Sequence, residues 1–255
     1  MPIAHFFRLN ARLDSRLSLC ASFVRPGSRV ADIGTDHAYL PAHLVGTGVC
    51  PFAVAADIRP GPLSRAADTV ERTGLTGKID LRLGDGLSPV RPEEVDDIVI
   101  AGMGGETIAA ILAAAPWTQD ARYRLILQPM SKPEELRRFL LQTGYAIQEE
   151  RIARDGERLY AVLQAGFSPS AAKEQLARPA AVYRGGVDSS DPDGRAYLLH
   201  QAQRLDAAAA ALRKAASRKD NAFQKEDASL WEEGYTDRAD RLAQLAEQLK
   251  AGVSY

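Results

Sequence analysis

The sequence predicts an α/β fold, a mostly parallel seven-stranded sheet between helices, with a smaller helical hairpin after it. Three observations carry this. Short runs rich in Val, Ile and Leu alternate with longer polar or alanine-rich segments from Arg29 to about Gly166, which is the rhythm of βα units. The last two such runs are separated only by Arg154 to Glu157, a turn short enough for a hairpin, so the sheet should end in an antiparallel pair. After Gly166 the strand pattern stops, and residues 196–224 and 237–249 contain no proline or glycine. The expected division is therefore 1–166 and 167–255.

In chain order, a first helix runs through Leu9, Leu13, Leu17 and Cys20, with Arg8, Arg12 and Arg16 recurring every four residues as a separate basic stripe. Strands follow at 29–33, 52–58, 79–83, 97–101 and 123–128, with the closing pair at 146–153 and 158–165. Helices fall between them near 38–48, 62–73, 104–114 and 132–142. The last of these starts on Ser131-Lys132-Pro133-Glu134, which offers a capping side chain, an early proline and an acidic first turn. In the second part, Leu198, Leu205 and Leu212, continued by Ala215 or Ala216, give a long helix a seam of period about seven. Leu242, Leu245 and Leu249 give the return helix a matching stripe, with the joint near Asp227 to Gly234. A seam consumed within one chain is compatible with a monomer.

Composition narrows the function classes. A hydrophobic share of 45% fills a substantial core, and a formal charge of -1 from 32 basic and 33 acidic residues rules out a whole-molecule basic footprint. Residues 171–250 carry equal numbers of both signs, with positive charge concentrated only at Arg213, Lys214, Arg218 and Lys219. Cys20 and Cys50 make no disulfide framework, and no Cys/His cluster has metal-ligand spacing. No apolar run is long enough to span a membrane and no secretion signal opens the chain, so a cytoplasmic protein is expected.

The chemistry gathers at the strand ends. The first strand delivers VADIGTDHAYLP, residues 30–41, into a turn and a helix. Asp32 and Gly34 stand where nucleotide-binding strand-turn-helix units begin, but the glycine-rich phosphate loop is missing and Asp36 and Ala38 occupy its place. Carboxylates at 32 and 36 suit a cationic sulfonium and an ammonium better than a pyrophosphate; Asp36 is also a candidate helix cap. Asp57, with Ile58 beside it, ends the second strand, where a carboxylate accepts both ribose hydroxyls of an adenosine. Gly84-Asp85-Gly86 forms a compact turn after the third strand, suited to meet an adenine or simply to turn the chain.

The fourth strand opens into AGMGGE, residues 101–106, where Gly102 and Gly104 permit a tight passage and Met103 offers either an apolar wall or core packing. Gln128 ends the fifth strand and could orient the edge of a base or satisfy a loop. His37 sits between sharp local features and is a candidate substrate-side group, whereas His43 belongs on a helix surface. A nucleophile elbow and a Walker loop are absent.

Taken together, LSLCASFV at 17–24, VADIGTDHAYLP at 30–41, AADIRPGPL at 55–63, LGDGL at 83–87, IAGMGGETI at 100–108 and LILQPM at 125–130 resemble the bacterial tRNA adenine-N1 methyltransferases that modify adenosine 22 of the D-arm. The resemblance implies a Rossmann-like Class I methyltransferase domain, a C-terminal coiled-coil-like domain, S-adenosylmethionine as methyl donor and tRNA as acceptor. It assigns Asp32, Gly34 and Asp36 to the first cofactor loop, Asp57 to the ribose, and Asp85 with Gly86 to the adenine. Gly102, Met103 and Gly104 would line the crevice, with His37 and Gln128 nearby. The family's last motif often reads QPN, and here Met130 holds the final position.

An adenine ring nitrogen brings its own lone pair, so alignment matters more than a general base, and Asp36 and His37 are candidates for orientation or electrostatics. Arg8, Arg12 and Arg16, with Arg25, Arg29, Arg59, Arg137 and Arg138 as extensions, are candidate phosphate contacts. Two other readings stand beside this one: a NAD-linked oxidoreductase, and a non-catalytic RNA-binding or scaffold protein on the same fold.

Overall fold

In a computed structural model the structure describes residues 13–178, 180–219 and 228–253. The chain forms two compact units that divide between Ala177 and Arg178.

The first unit is a seven-stranded sheet in the order β3-β2-β1-β4-β5-β7-β6. Its elements are α1 (Ser15–Phe23), β1 (Val30–Ile33), α2 (Tyr39–Gly46), β2 (Ala53–Asp57), α3 (Pro60–Arg72), β3 (Ile79–Leu83), β4 (Asp97–Gly104), α4 (Gly105–Ala113), β5 (Arg124–Ser131), α5 (Pro133–Gln142), β6 (Tyr145–Asp155), β7 (Arg158–Phe167) and α6 (Pro169–Leu176). β1 to β5 pair in parallel, and β7 lies antiparallel to both β5 and β6. β1 and β2 are buried along their whole length, as a sheet covered on both faces requires. The chain runs outward from β1 to β3, then returns to β4 on β1's other side. That reversal opens a crevice at the carboxyl ends of β1 and β4, where open α/β sheets hold ligands.

Several details differ from the sequence reading. β4 continues to Gly104 and β5 to Ser131, because irregular pairing at Ala101, Met103 and Gly104 lets the two strands stay side by side beyond the regular ladder. Ser131 therefore ends a strand and caps nothing; the cap position of α5 is Lys132, in the left-handed region at φ 52. The unit boundary lies beyond Gly166 because α6 stays with the sheet: the Gln175 amide bonds both the N–H and the carbonyl of Ile147.

Arg25 and Arg29 precede β1 and so sit at the amino edge, away from the crevice. Each is taken up there, Arg25 by Asp97 and Arg29 by Asp96. Arg137 is fully buried on α5 against Glu150. Buried Arg137 is therefore no surface phosphate contact, whereas Arg25 and Arg29 remain partly exposed within their ion pairs.

The second unit contains the short helix α7 (Ala181–Arg184) and an antiparallel pair, α8 (Pro192–Lys219) and α9 (Ala228–Ala251). Leu198 and Leu205 are buried as expected, but Ala202 between them and Ala209 beyond Leu205 are buried too, while Leu212 is only half-buried and Ala215 is exposed. On α9 the buried seam is Ala239, Ala246 and Leu249, with Leu242 and Leu245 half-buried. Small residues at these positions let two helices approach closely. Arg213–Asp240 and Lys250–Asp206 ion pairs fix the antiparallel register. α9 begins at Ala228, so residues 228–234 of the expected joint are helical, and Asp227 falls outside the described residues. Among the described residues, no helix is long and apolar enough to cross a membrane.

Candidate active site

A cleft of about 1130 Å³ lies at the carboxyl edge where β1, β2 and β4 end. Asp32, Gly34, Asp36, His37, Asp57, Ile58, Asp85, Gly86, Gly102, Met103 and Arg16 all line it. Gly104 lies just past the wall as the cap of α4, and Gln128 lies behind the wall. Arg8 and Arg12, like Leu9 and His5, fall outside the described residues.

The β1–α2 turn forms one side. Gly34 has φ 77, a left-handed conformation that favours glycine, and the Met103 methyl group lies over it: a Cβ there would stand 2.2 Å from the Met103 Cε, and that flexible side chain would have to move aside. The contact also places Met103, from β4, against the β1 turn as a cleft wall. Asp32 is buried, and its carboxylate accepts the Thr35 hydroxyl at 2.6 Å. Burial outweighs that bond and, together with the nearby Asp57 carboxylate, pushes the acid up to about 6. A buried carboxylate in this state gains most from a cationic ligand group.

Asp36 and Ala38 are both left-handed, at φ 46 and 53, and the bend between them displays His37. Asp36 is exposed, ion-paired with Arg65 of α3, and 3.7 Å from His37 Nε2. It caps no helix: the α2 cap position is Ala38, without a side-chain bond. His43 is half-buried on α2, which lowers its proton affinity.

On the β2 side, Asp57 is buried, and its Oδ1 accepts the Arg59 backbone N–H at 2.8 Å. Ile58 is 59% exposed beside it, an apolar surface open to a ligand. Asp85 is exposed in the turn after β3, and Gly86 faces Ile111 of α4. Trp117 also lines the cleft.

The fourth strand is held from behind. Gln128 is fully buried; its Oε1 accepts both the Gly102 N–H at 3.1 Å and the Arg16 Nη1 at 2.7 Å, while its Nε2 donates to the Pro129 carbonyl. Arg16 also pairs with Asp14, which caps α1, and lies over the Tyr160 ring at 5.6 Å. Gln128 therefore cannot read a base edge in this arrangement, and the Arg16 charge is met internally. The two residues together fix Gly102, whose φ of 82 sets up the Met103 wall. Met130 is 42% exposed, with its sulfur 3.6 Å from Arg16. Sequence reasoning missed Thr35, Arg65 and Trp117; a hydroxyl three residues after Asp32 was the only local signal among them.

A methyltransferase-domain family model matches residues 13–163. The curated tRNA (adenine(22)-N(1))-methyltransferase of Bacillus subtilis is 40% identical over 154 residues, covering 60% of this chain. The crystal structure of B. subtilis tRNA methyltransferase TrmK superposes with a TM-score of 0.77 at 30% identity, covering 96% of this chain and 100% of that one. The chain belongs to the tRNA (adenine(22)-N(1))-methyltransferase family.

A second family structure, Streptococcus pneumoniae Sp1610 in complex with S-adenosyl-L-methionine, has a TM-score of 0.68 at 30% identity and covers 92% of this chain and 100% of that one. The family likeness thus extends through both units, although the aligned sequence spans 65% of the curated B. subtilis relative's length.

The cleft fits that family's methyl donor. Asp32 and Asp57 place two buried carboxyl groups in the cleft, and the sequence there has no glycine-rich phosphate loop. Among the described residues no three His, Cys, Asp or Glu side chains cluster as a metal site.

Proposed function

We propose that this protein transfers a methyl group from S-adenosylmethionine to N1 of adenosine 22 in tRNA, in the cytoplasm. The observation that carries the reading is one continuous cleft in which Asp32, Asp57, Asp85 and Met103 meet. Its volume exceeds the roughly 300–1,000 Å³ of ordinary small-molecule sites, leaving space for a base beside a cofactor.

When bound, S-adenosylmethionine supplies an electrophilic methyl group. Asp32 pairs with the amino group, Asp57 takes the ribose hydroxyls, and Asp85 with the Gly86 backbone meets the adenine. Ile58 and Met103 pack on the apolar faces, so water is kept from the reacting centre. The N1 lone pair of the acceptor forms the new N–C bond as the S–C bond breaks, and its electron pair stays on sulfur. The base gains the positive charge that sulfur loses. Asp36 and His37 stand at the cleft wall to favour that charge, and no proton has to be removed.

N1 is engaged in the folded RNA, so the base must be extruded to reach the cleft. Arg8 and Arg12 are the proposed phosphate contacts, together with Arg59, whose side chain is 72% exposed at the cleft. Arg16 and Gln128 act instead as positioning residues for Gly102 and Met103.

The test is incubation with methyl-labelled S-adenosylmethionine and unmodified tRNA, followed by nucleoside and site mapping. Label at N1 of adenosine 22 is expected. Tight binding of both partners without transfer would favour a non-catalytic binder, and turnover of a nicotinamide would favour an oxidoreductase.

Cofactor binding should depend on pH through Asp32. Below about 6 its carboxyl is protonated in the free protein, so pairing with an ammonium must expel that proton. Affinity is expected to rise up to about tenfold per pH unit below 6 and to level off above 7. Calorimetric titration from pH 5 to 8 checks this. Asp32→Asn should bind weakly with a flat profile, and an equally steep profile in that variant would place the proton elsewhere.

A further inference from the structure

A pair of parallel rings stands at the cleft wall. His37 and Tyr39 stack with centroids 5.0 Å apart and planes 6° from parallel. Both line the cleft, and Tyr39 is 41% exposed although large aromatic side chains usually bury most of their area. The backbone is shaped to display them. Asp36 and Ala38, on either side of His37, are two of the four non-glycine residues with positive φ among those described, a conformation that persists only where its surroundings impose it. Ala38 is itself fully buried, which anchors the bend while the two rings project from it.

We infer that the His37–Tyr39 pair is the stacking platform for the acceptor adenine, with Tyr39 supplying the ring that meets the base. This rests on the proposed function. The same turn carries Gly34 and Asp32, which receive the methionine end of the cofactor, and Met103 closes over Gly34 from β4. An adenine stacked here therefore lies on the side of the cleft where the methyl group is delivered.

The choice of ring follows from charge. An aromatic face is negative, so it holds a cationic ring more strongly than a neutral one. The acceptor becomes cationic as the N–C bond forms. Tyr39 thus binds the transition state better than the substrate, which accelerates transfer rather than merely tightening association. The Asp36 carboxylate, 3.7 Å from His37 Nε2, adds negative charge behind the platform. The neighbouring cations are Arg65, already paired with Asp36, and Arg59 at the cleft wall.

The experiment compares wild type, Tyr39→Phe and Tyr39→Leu in single-turnover methylation of unmodified tRNA, alongside cofactor affinity by calorimetry and tRNA affinity by filter binding. Tyr39→Leu is expected to slow transfer by roughly 5- to 150-fold, the range for loss of one base–aromatic stack. Its cofactor affinity should stay within about twofold, and tRNA affinity should change less than the rate, since phosphate contacts dominate it. Tyr39→Phe keeps the ring and should stay within about threefold of wild type in rate.

Transfer by Tyr39→Leu at the wild-type rate would overturn the platform, as would a loss of cofactor affinity that accounts for the slower rate, or a Phe variant as slow as Leu. Absence of transfer by the wild-type protein would instead sink the methyltransferase reading itself, so the two failures are distinguishable.

Discussion

Arg137→Ala is expected to destabilise the first unit by about 3–5 kcal/mol, the cost of breaking a buried ion pair by removing one side. Arg137 and Glu150 are both fully inaccessible at their side chains, and the guanidinium donates through Nε and Nη2 to the carboxylate. Glu150→Ala breaks the pair from the other side and should cost a similar amount. Replacing both together by Met and Leu should recover most of the loss, because neither charge then remains in the interior. Urea unfolding followed by circular dichroism reads these differences. Cofactor affinity of the folded fraction should be unchanged, since neither residue lines the cleft. A single-residue loss below about 1 kcal/mol would mean that water reaches the remaining charge.

The same pair shows where sequence reasoning lost its footing. Arg137 falls between Leu136 and Leu140 on the inward face of α5, so its position in the apolar stripe was visible. Its partner was not. The pairing of β6 with β7 shifts register between Ile147 and Glu149, and this carries Glu150 inward in place of Glu149. A strict alternation cannot anticipate such an irregularity.

The first five strands were legible because βα alternation is a strong signal and each strand ends on, or runs directly into, a polar or glycine residue. Asp32, Asp57 and Asp85 were legible as a set for the same reason: a parallel sheet delivers the ends of successive strands to one edge. Gln128 and Arg16 were not. A residue type at a strand end or on a helix stripe reveals its chemistry but not its partner, and these two are partners of each other across 112 positions of sequence. Their mutual bond braces Gly102 from behind. The helical unit was legible as a hairpin, but alanines at 202, 209, 239 and 246 fill much of the seam that leucines were expected to fill. Periodicity identifies a stripe without weighing how closely two helices approach.

Asp57→Ala should raise the dissociation constant for S-adenosylmethionine by about 10- to 150-fold. A hydrogen bond to a charged group contributes about 1.5–3 kcal/mol, and 1.4 kcal/mol is a factor of ten. The geometry makes this carboxylate a strong acceptor. Asp57 is buried at the end of β2, and one oxygen is already oriented by the Arg59 N–H at 2.8 Å. A ligand hydroxyl arriving at the other oxygen meets a fixed anion with little water to displace. Alanine removes both acceptors, whereas Asp57→Asn keeps an oxygen for Arg59 and replaces the other by a donor, so its loss should be intermediate. Calorimetry measures both, with the thermal midpoint of each variant confirming that the sheet has folded.

The effect should fall on cofactor affinity and leave tRNA affinity nearly intact, because Asp57 contributes no positive charge to meet phosphate. Unchanged cofactor affinity in the alanine variant would remove the ribose from β2. The cofactor would then have to lie along Asp32 and Met103 alone, and the space assigned to the acceptor base would no longer follow from the cleft.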